Sequence, residues 1–261
     1  MSFTNSFSRP APEVTIGFTY GPDPYDINFV FPIPTSDHPI LETPLVKLTP
    51  FIPRIHAETY LTRTAGYPEL YRYYPFQFST LDELLPWIEG FIRRDTGSIL
   101  FAIIDKTKSG DVEGEEGALA GTIGLLKTSP ENLTTEIGGL VVFPPFQRTH
   151  VTTHASGLLL RWLLDLPSAS PPGLGLRRVQ WSAHPENVGS RRVAERLGMK
   201  LEGCMRWMWA LRESAEGKKG REGDTLRGRP GRDSVLYALC WDDWEGGGRE
   251  VVMGLLKPRI G

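Results

Sequence analysis

The chain has little of several features that would place it in a special class of protein. Only two cysteines, Cys204 and Cys240, occur in 261 residues, which excludes a disulfide framework and favours a reducing, cytoplasmic compartment. No apolar run reaches the ~18 residues of a membrane span. The first residues, MSFTNSFSRPAPEV, also lack the basic and apolar regions of a secretory signal. We therefore expect no membrane partner.

An excess of charge of one sign is also absent. The formal net charge is −2, which argues against a general nucleic-acid binder. A basic, glycine-rich stretch at 212–232 is the local exception, and it leaves open a tether to RNA or the ribosome. That stretch contains acidic residues and no aromatic residue on which a base could stack. The overall share of 40% hydrophobic and 23% charged residues is typical of a globular domain.

The two ends of the chain differ in composition from its middle. Prolines are dense in residues 1–44, which excludes a helix and disfavours a central strand there. We predict an ordered extension that wraps the body through Phe18, Tyr20, Tyr25, Phe29 and Phe31. Residues 45–245 are predicted to form one domain, and 246–261 a carboxyl-terminal tail. Within the domain, 212–232 is predicted to be a flexible loop, because it has almost no apolar residues.

Hydrophobic periodicity and end signals place the remaining elements. Helices are predicted at 53–66, 79–97, 152–166 and 187–198. Strands are predicted at 45–51, 98–105, 118–127, 134–143, 176–184, 199–211 and 233–241. The chain thus begins as a meander and then alternates strand and helix. This order predicts an α+β fold, a mixed and mostly antiparallel sheet with helices on both faces.

A polar junction, QRTHVTTHA from Gln147 to Ala155, lies between a valine-rich strand and an amphipathic helix. The start of a helix offers unpaired N–H groups and a partial positive charge, and therefore suits an anion. His150 and His154 have the spacing of metal ligands on a helix. Further ligands are missing nearby in sequence, so we expect loop histidines and no metal.

Three stretches in this order resemble one known family. They are EIGGLVVFPPFQRTHVTTHA, NVGSRRVAERLGMKLEG and DSVLYAL. Over roughly residues 45–245 the chain resembles the GNAT superfamily of acetyl-CoA-dependent N-acetyltransferases, and within it the RimJ and RimL group of ribosomal-protein acetylases. The resemblance implies that the sheet is splayed at its middle. It also implies that acetyl-CoA and a primary amine are the two substrates.

The resemblance implies a set of coenzyme-binding positions. The loop and helix start would hold the pyrophosphate, and the backbone of the preceding strand would bind the pantetheine and the thioester oxygen. The set is Leu140, Val141, Val142, Gln147, Arg148, Thr149, His150, Val151, Thr152, Thr153, Asn187 and Ser190. His150 stands where the family has glycine, so we expect threonine hydroxyls to compensate. A bulge is expected at Gly138 and Gly139, and Arg148 could equally face phosphate or solvent.

Two residues are candidates for proton transfer. Glu136 could act through water as the base for the incoming ammonium, or be a half-exposed strand carboxylate. Ser190 could protonate the departing thiolate, as proposed in the RimL-like group, because the tyrosine position of other relatives is Ala194 here. Its alternative role is a polar first-turn residue next to the helix cap Asn187. The resemblance places Tyr73, Tyr74 and Phe76 at the acceptor site, and their aromatic character favours an apolar or aromatic acceptor.

These features predict direct acetyl transfer within a ternary complex. The acceptor would be a primary amine of a small molecule, an amino acid or a peptide or protein N-terminus. We expect a monomer or a homodimer. The atypical loop and the missing tyrosine leave open a non-catalytic module that binds CoA or a partner.

Overall fold

One seven-stranded sheet runs through the computed structural model, which describes residues 20–34, 41–110, 114 and 116–257. The strands are β1 (Val46–Pro50), β2 (Ile99–Asp105), β3 (Ala118–Ser129), β4 (Thr134–Val142), β5 (Arg178–Ala183), β6 (Lys200–Ala210) and β7 (Gly231–Cys240). Their order is β1-β2-β3-β4-β5-β7-β6. Every neighbouring pair is antiparallel except β4 with β5. The predicted fold class is therefore confirmed.

The described residues also form α-helices beside the sheet. They are α1 (Pro53–Thr64), α2 (Leu81–Trp87), α3 (Val151–Leu164), α4 (Val188–Arg196), α5 (Trp241–Asp243) and α6 (Arg249–Leu255). Glu83 accepts hydrogen bonds from the backbone N–H groups of Ser79 and Thr80 before α2, as expected of an acidic third helical position. Within the described ranges, no helix combines the length and apolar character that a membrane crossing requires.

Two neighbouring residues of β2 show that helices cover both faces of the sheet. Side chains alternate along a strand, so Leu100 and Phe101 point to opposite faces. Phe101 contacts Trp162 of α3 edge to face, with ring centroids 6.3 Å apart. Leu100 lines a small cavity on the other face together with Tyr60 of α1 and Leu84 of α2. All of β2 is consequently buried.

The sheet opens in its middle, between β4 and β5. The parallel pairing runs only from Thr134 with Arg178 to Ile137 with Trp181. Beyond Ile137, β4 continues alongside β3 with a shift of register at Gly139, which has a φ of +58°. The predicted bulge at the glycine pair thus coincides with the point where the strands separate.

The described part of the amino-terminal extension lies against the body. The Tyr20 hydroxyl donates to Glu58 at 3.2 Å, and the Tyr25 hydroxyl donates to Glu89 at 3.2 Å. The aromatic rings of Phe29 and Phe31 pack against the core. The fifth predicted anchor, Phe18, lies outside the described residues.

The prediction of a carboxyl-terminal tail is wrong for residues 246–257. Helix α6 packs on α3, where Val252 and Leu256 contact Gly157. Asp165, at the end of α3, accepts hydrogen bonds from Trp244 Nε1 at 3.0 Å and from Arg249 Nε at 2.8 Å. The sequence did not reveal α6, because this short segment follows three consecutive glycines and shows no helical periodicity. The domain therefore extends beyond residue 245.

The predicted flexible loop at 212–232 also needs a correction at its end. Gly231 and Arg232 belong to β7. Arg229 donates from Nε to the Leu211 carbonyl at 2.7 Å, which ties the two ends of the loop together. Composition predicted the loop, but it could not show where the pairing of β6 with β7 begins.

Candidate active site

A cleft of about 1480 Å³ lies where β4 and β5 separate. Its floor is the unpaired part of β4, and one end is the junction between β4 and α3. Helix α4 borders it on one side, and an aromatic cluster before and within α2 borders it on the other. The predicted site residues that line it are Tyr73, Tyr74, Phe76, Glu136, Leu140, Val141, Val142, Gln147, Arg148, Thr149, His150, Thr152, Thr153, Asn187 and Ser190. Val151 is buried at the first position of α3.

The loop before α3 is held by its own side chains. Gln147 Nε2 donates to the Val142 carbonyl at 2.9 Å, and the Thr149 hydroxyl donates to the Phe146 carbonyl at 2.6 Å. Within this loop, the backbone of Arg148 has a left-handed conformation, with a φ of +61°. His150, which stands at the family's glycine position, has an ordinary helical φ of −67°. The backbone therefore does not need a glycine at position 150.

The start of α3 offers free donors to the cleft. Within the described residues, the backbone N–H groups of Thr152 and Thr153 have no backbone partner. The Thr153 hydroxyl accepts from Arg196 Nη2 at 3.0 Å. Arg192 and Arg196 of α4 line this end of the cleft together with Arg148. Unpaired N–H groups beside three guanidinium groups suit a diphosphate.

The sequence did not reveal the role of Arg192 and Arg196. Their signal was available, because two arginines four residues apart lie on one face of a helix. The predicted helix 187–198 contained both, but nothing in its pattern showed that this face meets the start of α3.

The two histidines of this region have separate partners. His150 Nε2 lies 3.2 Å from Asp105 Oδ1, and His154 Nδ1 lies 3.0 Å from the Thr43 hydroxyl. Burial, together with the neighbouring His150, lowers the pKa of His154 below its usual value. Both rings thus have protein partners, as loop and helix histidines commonly do.

Ser190 is oriented by two contacts. Asn187 Oδ1 accepts from the Ser190 backbone N–H at 3.1 Å, which caps α4. The indole Nε1 of Trp181 donates to the Ser190 hydroxyl oxygen at 2.9 Å. With its oxygen accepting from Trp181, the Ser190 hydroxyl still has its own proton available for donation. Trp181, a buried residue of β5, was not among the predicted site residues.

Glu136 is not the half-exposed carboxylate that one interpretation of the sequence allowed. The residue is only 5% exposed. Its Oε2 accepts from Lys127 Nζ at 2.9 Å and from Gln180 Nε2 at 3.0 Å. The Lys127 ammonium also lies 5.7 Å from the centre of the Trp209 ring. Glu136 is therefore a buried, charge-paired group that faces the cleft.

Two of the predicted acceptor residues, Tyr74 and Phe76, form one aromatic wall with Trp87. The rings of Tyr74 and Phe76 stack with centroids 4.7 Å apart, and Phe76 contacts Trp87 at 4.8 Å. The Tyr74 hydroxyl donates to the Leu140 carbonyl at 2.6 Å. Burial raises the pKa of Tyr74 to about 12, so the phenol stays neutral and fixes the bulge of β4. The Tyr73 ring contacts the His184 ring at a tilt of 32°, with centroids 4.9 Å apart.

The sequence and the fold point to the same class of protein. Residues 46–200 match the family model described as "Acetyltransferase (GNAT) domain". This match covers more than half of the chain, and the chain therefore belongs to the GNAT acetyltransferase family. The chain has no significant match among curated proteins.

Solved structures share this fold. A GCN5-related N-acetyltransferase from Brucella melitensis is 24% identical with a TM-score of 0.65, covering 84% of this chain and 85% of that one. A GNAT-family acetyltransferase from Bacillus anthracis is 21% identical with a TM-score of 0.54, covering 77% and 98%. A Salmonella typhimurium acetyl transferase is 16% identical with a TM-score of 0.56, covering 76% and 96%. At these identities the likeness concerns the fold.

We predict that Arg196→Ala weakens acetyl-CoA binding by about tenfold, or about 1.4 kcal/mol, because a charge-assisted donor to phosphate is lost. Isothermal titration calorimetry at two salt concentrations measures this effect, and the difference from the unmodified protein should shrink at high salt. Arg227→Ala, at an exposed position, is the matched control for net charge. An unchanged dissociation constant for Arg196→Ala would remove this residue from the phosphate site.

Proposed function

We propose that the protein is an acetyl-CoA-dependent N-acetyltransferase that acts by direct attack in a ternary complex. The acceptor is a primary amine on a small molecule, an amino acid or a peptide or protein N-terminus. One observation carries this proposal: a single cleft connects the free N–H groups of Thr152 and Thr153 to Ser190 and Glu136. Such a cleft can bring a bound thioester, an acid and a base together.

The residues at the α3 end fit the phosphates of coenzyme A. The N–H groups of Thr152 and Thr153 and the guanidinium groups of Arg148, Arg192 and Arg196 would hold them. Acetyl-CoA supplies an acyl group that is already activated as a thioester. The backbone of β4 after Ile137 has no β5 partner among the described residues. Its free amides are suited to bind the pantetheine arm and the thioester oxygen, where negative charge develops.

Glu136 is the proposed base. An amine attacks only in its unprotonated form, and the pKa of an α-amine is ~8 while that of an alkyl amine is ~10.4. Oε2 of Glu136 is occupied by Lys127 and Gln180, so Oε1 is the atom proposed to accept the proton through a water molecule. His184 is a poorer candidate. Its Nδ1 accepts from the Glu186 backbone N–H at 3.1 Å, so in the neutral ring Nε2 already carries the proton.

Ser190 is the proposed acid. The amine nitrogen forms a bond to the acetyl carbon and loses one proton to water, the carbon–sulfur bond breaks, and the sulfur leaves with the bond electrons. The Ser190 hydroxyl gives its proton to this thiolate and is reprotonated from solvent. The hydrogen bond from Trp181 supports this role, because it stabilises the negative charge that forms briefly on the serine oxygen.

The finer assignment places the protein in the RimJ/RimL-like group and in the cytoplasm. It rests on the Asn187-to-Ser190 pattern and on two free cysteines, of which Cys204 is exposed. The Salmonella typhimurium neighbour modifies the N-terminal serine of ribosomal protein L7/L12, which keeps protein N-termini among the acceptors. Monomer and homodimer are both compatible with this proposal, and neither a metal nor a nucleic acid takes part in it.

The test is thiol release from acetyl-CoA with a library of primary amines. We expect release only when both substrates are present, with one acetyl group gained by the amine in mass spectrometry. Tight acetyl-CoA binding without thiol release for any amine would contradict catalysis and favour the non-catalytic module.

We predict that Ser190→Ala lowers kcat by about 10²-fold, the lower end of general acid catalysis, with acetyl-CoA affinity near that of the unmodified protein. Asn187 bonds the backbone N–H of residue 190, so the helix cap survives the substitution. Trp181→Phe, which keeps the serine but removes its indole donor, should lower kcat by a smaller factor. A loss of acetyl-CoA affinity that matches the loss of rate would make Ser190 a binding residue instead.

We predict that Glu136→Gln lowers the rate by about 10²-fold at neutral pH and by far less above the pKa of the acceptor amine. The reason is that the amine is mostly protonated at low pH and needs a base, whereas at high pH it is already free. Rates measured from pH 6 to pH 10 test this dependence. Glu131→Gln, at an exposed turn, is the control. A loss that is equal at every pH would assign Glu136 a structural role.

A further inference from the structure

Arg232 is a buried cation at the acceptor side of the cleft. It lies near the start of β7, opposite Trp209 of β6, and it is 7% exposed. Its side chain lines the cleft together with Tyr74 and Glu136. Its buried Nε has no hydrogen-bond partner among the described residues, and the guanidinium makes no ion pair with them.

An unpartnered guanidinium in this position is energetically costly. Burial of a charge destabilises the folded state unless the charge is paired and hydrogen-bonded. Burial lowers the pKa of Arg232 below its usual value, but a guanidinium stays charged in proteins. An internal partner would relieve this cost, and the described residues around Arg232 do not provide one.

The nearby groups that could balance the charge of Arg232 already have other partners. Glu136 uses Oε2 for Lys127 and Gln180, and the Lys127 ammonium balances its charge. The Tyr74 phenol is neutral and donates to the Leu140 carbonyl. The charge of Arg232 therefore has no balancing anion among the described residues of this part of the cleft. Arg229 also lines the cleft, although its Nη2 donates to the Ala210 carbonyl.

The missing anion does not come from the phosphates proposed for the other end of the cleft. Those phosphates have their own donors in the first turn of α3 and in Arg148, Arg192 and Arg196. Arg232 interacts electrostatically with Tyr74, Glu136 and His184. Tyr74 belongs to the aromatic wall and Glu136 is the proposed base, so Arg232 lies in the part of the cleft where the acceptor amine must bind. The anion is therefore expected on the acceptor itself.

We propose that Arg232 binds a carboxylate of the acceptor, so that the preferred acceptor is a free amino acid whose side chain is apolar or aromatic. The guanidinium fork matches a carboxylate with two parallel hydrogen bonds. The amine then faces Glu136, and the side chain faces the wall of Tyr74, Phe76 and Trp87. This inference rests on the proposed function and narrows its acceptor class.

The experiment compares phenylalanine with three acceptors that keep its amine and its ring but lack the adjacent carboxylate: phenylalaninamide, phenethylamine and a phenylalanine-initiated peptide amide. Rates are compared at equal concentrations of free-base amine. The unmodified protein should favour phenylalanine by about 10²-fold in kcat/KM, as expected for a hydrogen-bonded charge. In Arg232→Gln the preference should disappear through a higher KM for phenylalanine alone, with the acetyl-CoA dissociation constant unchanged. Arg227→Gln, exposed on the preceding loop, is the control and should keep the preference.

A second measurement needs no variant. 3-Phenylpropanoate, which has the carboxylate but no amine, should inhibit the unmodified protein competitively with the acceptor, and phenylpropanamide should not. If amines are acetylated without regard to the carboxylate, or the peptide amide is preferred, this inference is wrong while the proposed function stands. If Arg232→Gln slows all acceptors equally, Arg232 is structural and the inference is also wrong. If no amine is acetylated, the proposed function fails and the inference fails with it.

Discussion

The rest of the site depends on the end of the β4–β5 pairing at Ile137 and Trp181. A parallel pair that continued to Val142 would use the inner amides of β4 and close the cleft. Instead, Gly139 has a left-handed conformation, and the register of β4 against β3 shifts at this residue. The Thr122 hydroxyl donates to the Gly139 carbonyl at 3.0 Å, and Tyr74 donates to the carbonyl of Leu140. These two side chains satisfy carbonyls at the bulge while the sheet remains open.

Charge is distributed unevenly along this opening. Arg148, Arg192 and Arg196 lie at the α3 end, where a helix start adds its own partial positive charge. Glu136 and Lys127 neutralise each other in the middle, and Arg232 adds positive charge at the acceptor side. Two substrates with negative charge at the outer ends of the cleft, and uncharged reacting groups between them, would complement this pattern. The reaction itself needs uncharged groups, because a free amine attacks a thioester and a protonated ammonium cannot.

The sequence predicted the features that depend on neighbours within one element. These include the start of α1 at Pro53, the cap of α4 at Asn187 and the glycine bulge of β4, each of which has a local signal. It could not predict contacts between different elements, such as Trp181 of β5 with Ser190 of α4 or Lys127 of β3 with Glu136 of β4. Those contacts depend on helix packing and strand register, which a single sequence does not specify. Arg232 shows the limit most clearly, because composition assigned it to a loop although it begins a buried part of β7.

The junction between β4 and α3 illustrates how one sequence departs from a family pattern and still keeps the geometry. Only the left-handed conformation of Arg148 carries a steric cost, roughly 1–2 kcal/mol for a residue with a Cβ atom. Hydrogen bonds from Gln147 and Thr149 to backbone carbonyls fix the loop and can offset part of that cost.

His150 keeps a helical conformation and bonds Asp105, so its side chain is turned toward β2. Thr152 and Thr153 then lie in the first turn of α3, where their backbone N–H groups have no backbone partner among the described residues and the Thr153 hydroxyl accepts from Arg196. Helix α4, which carries Ser190, is thereby coupled to the proposed phosphate site, so that phosphate binding and the position of the proposed acid depend on the same contact.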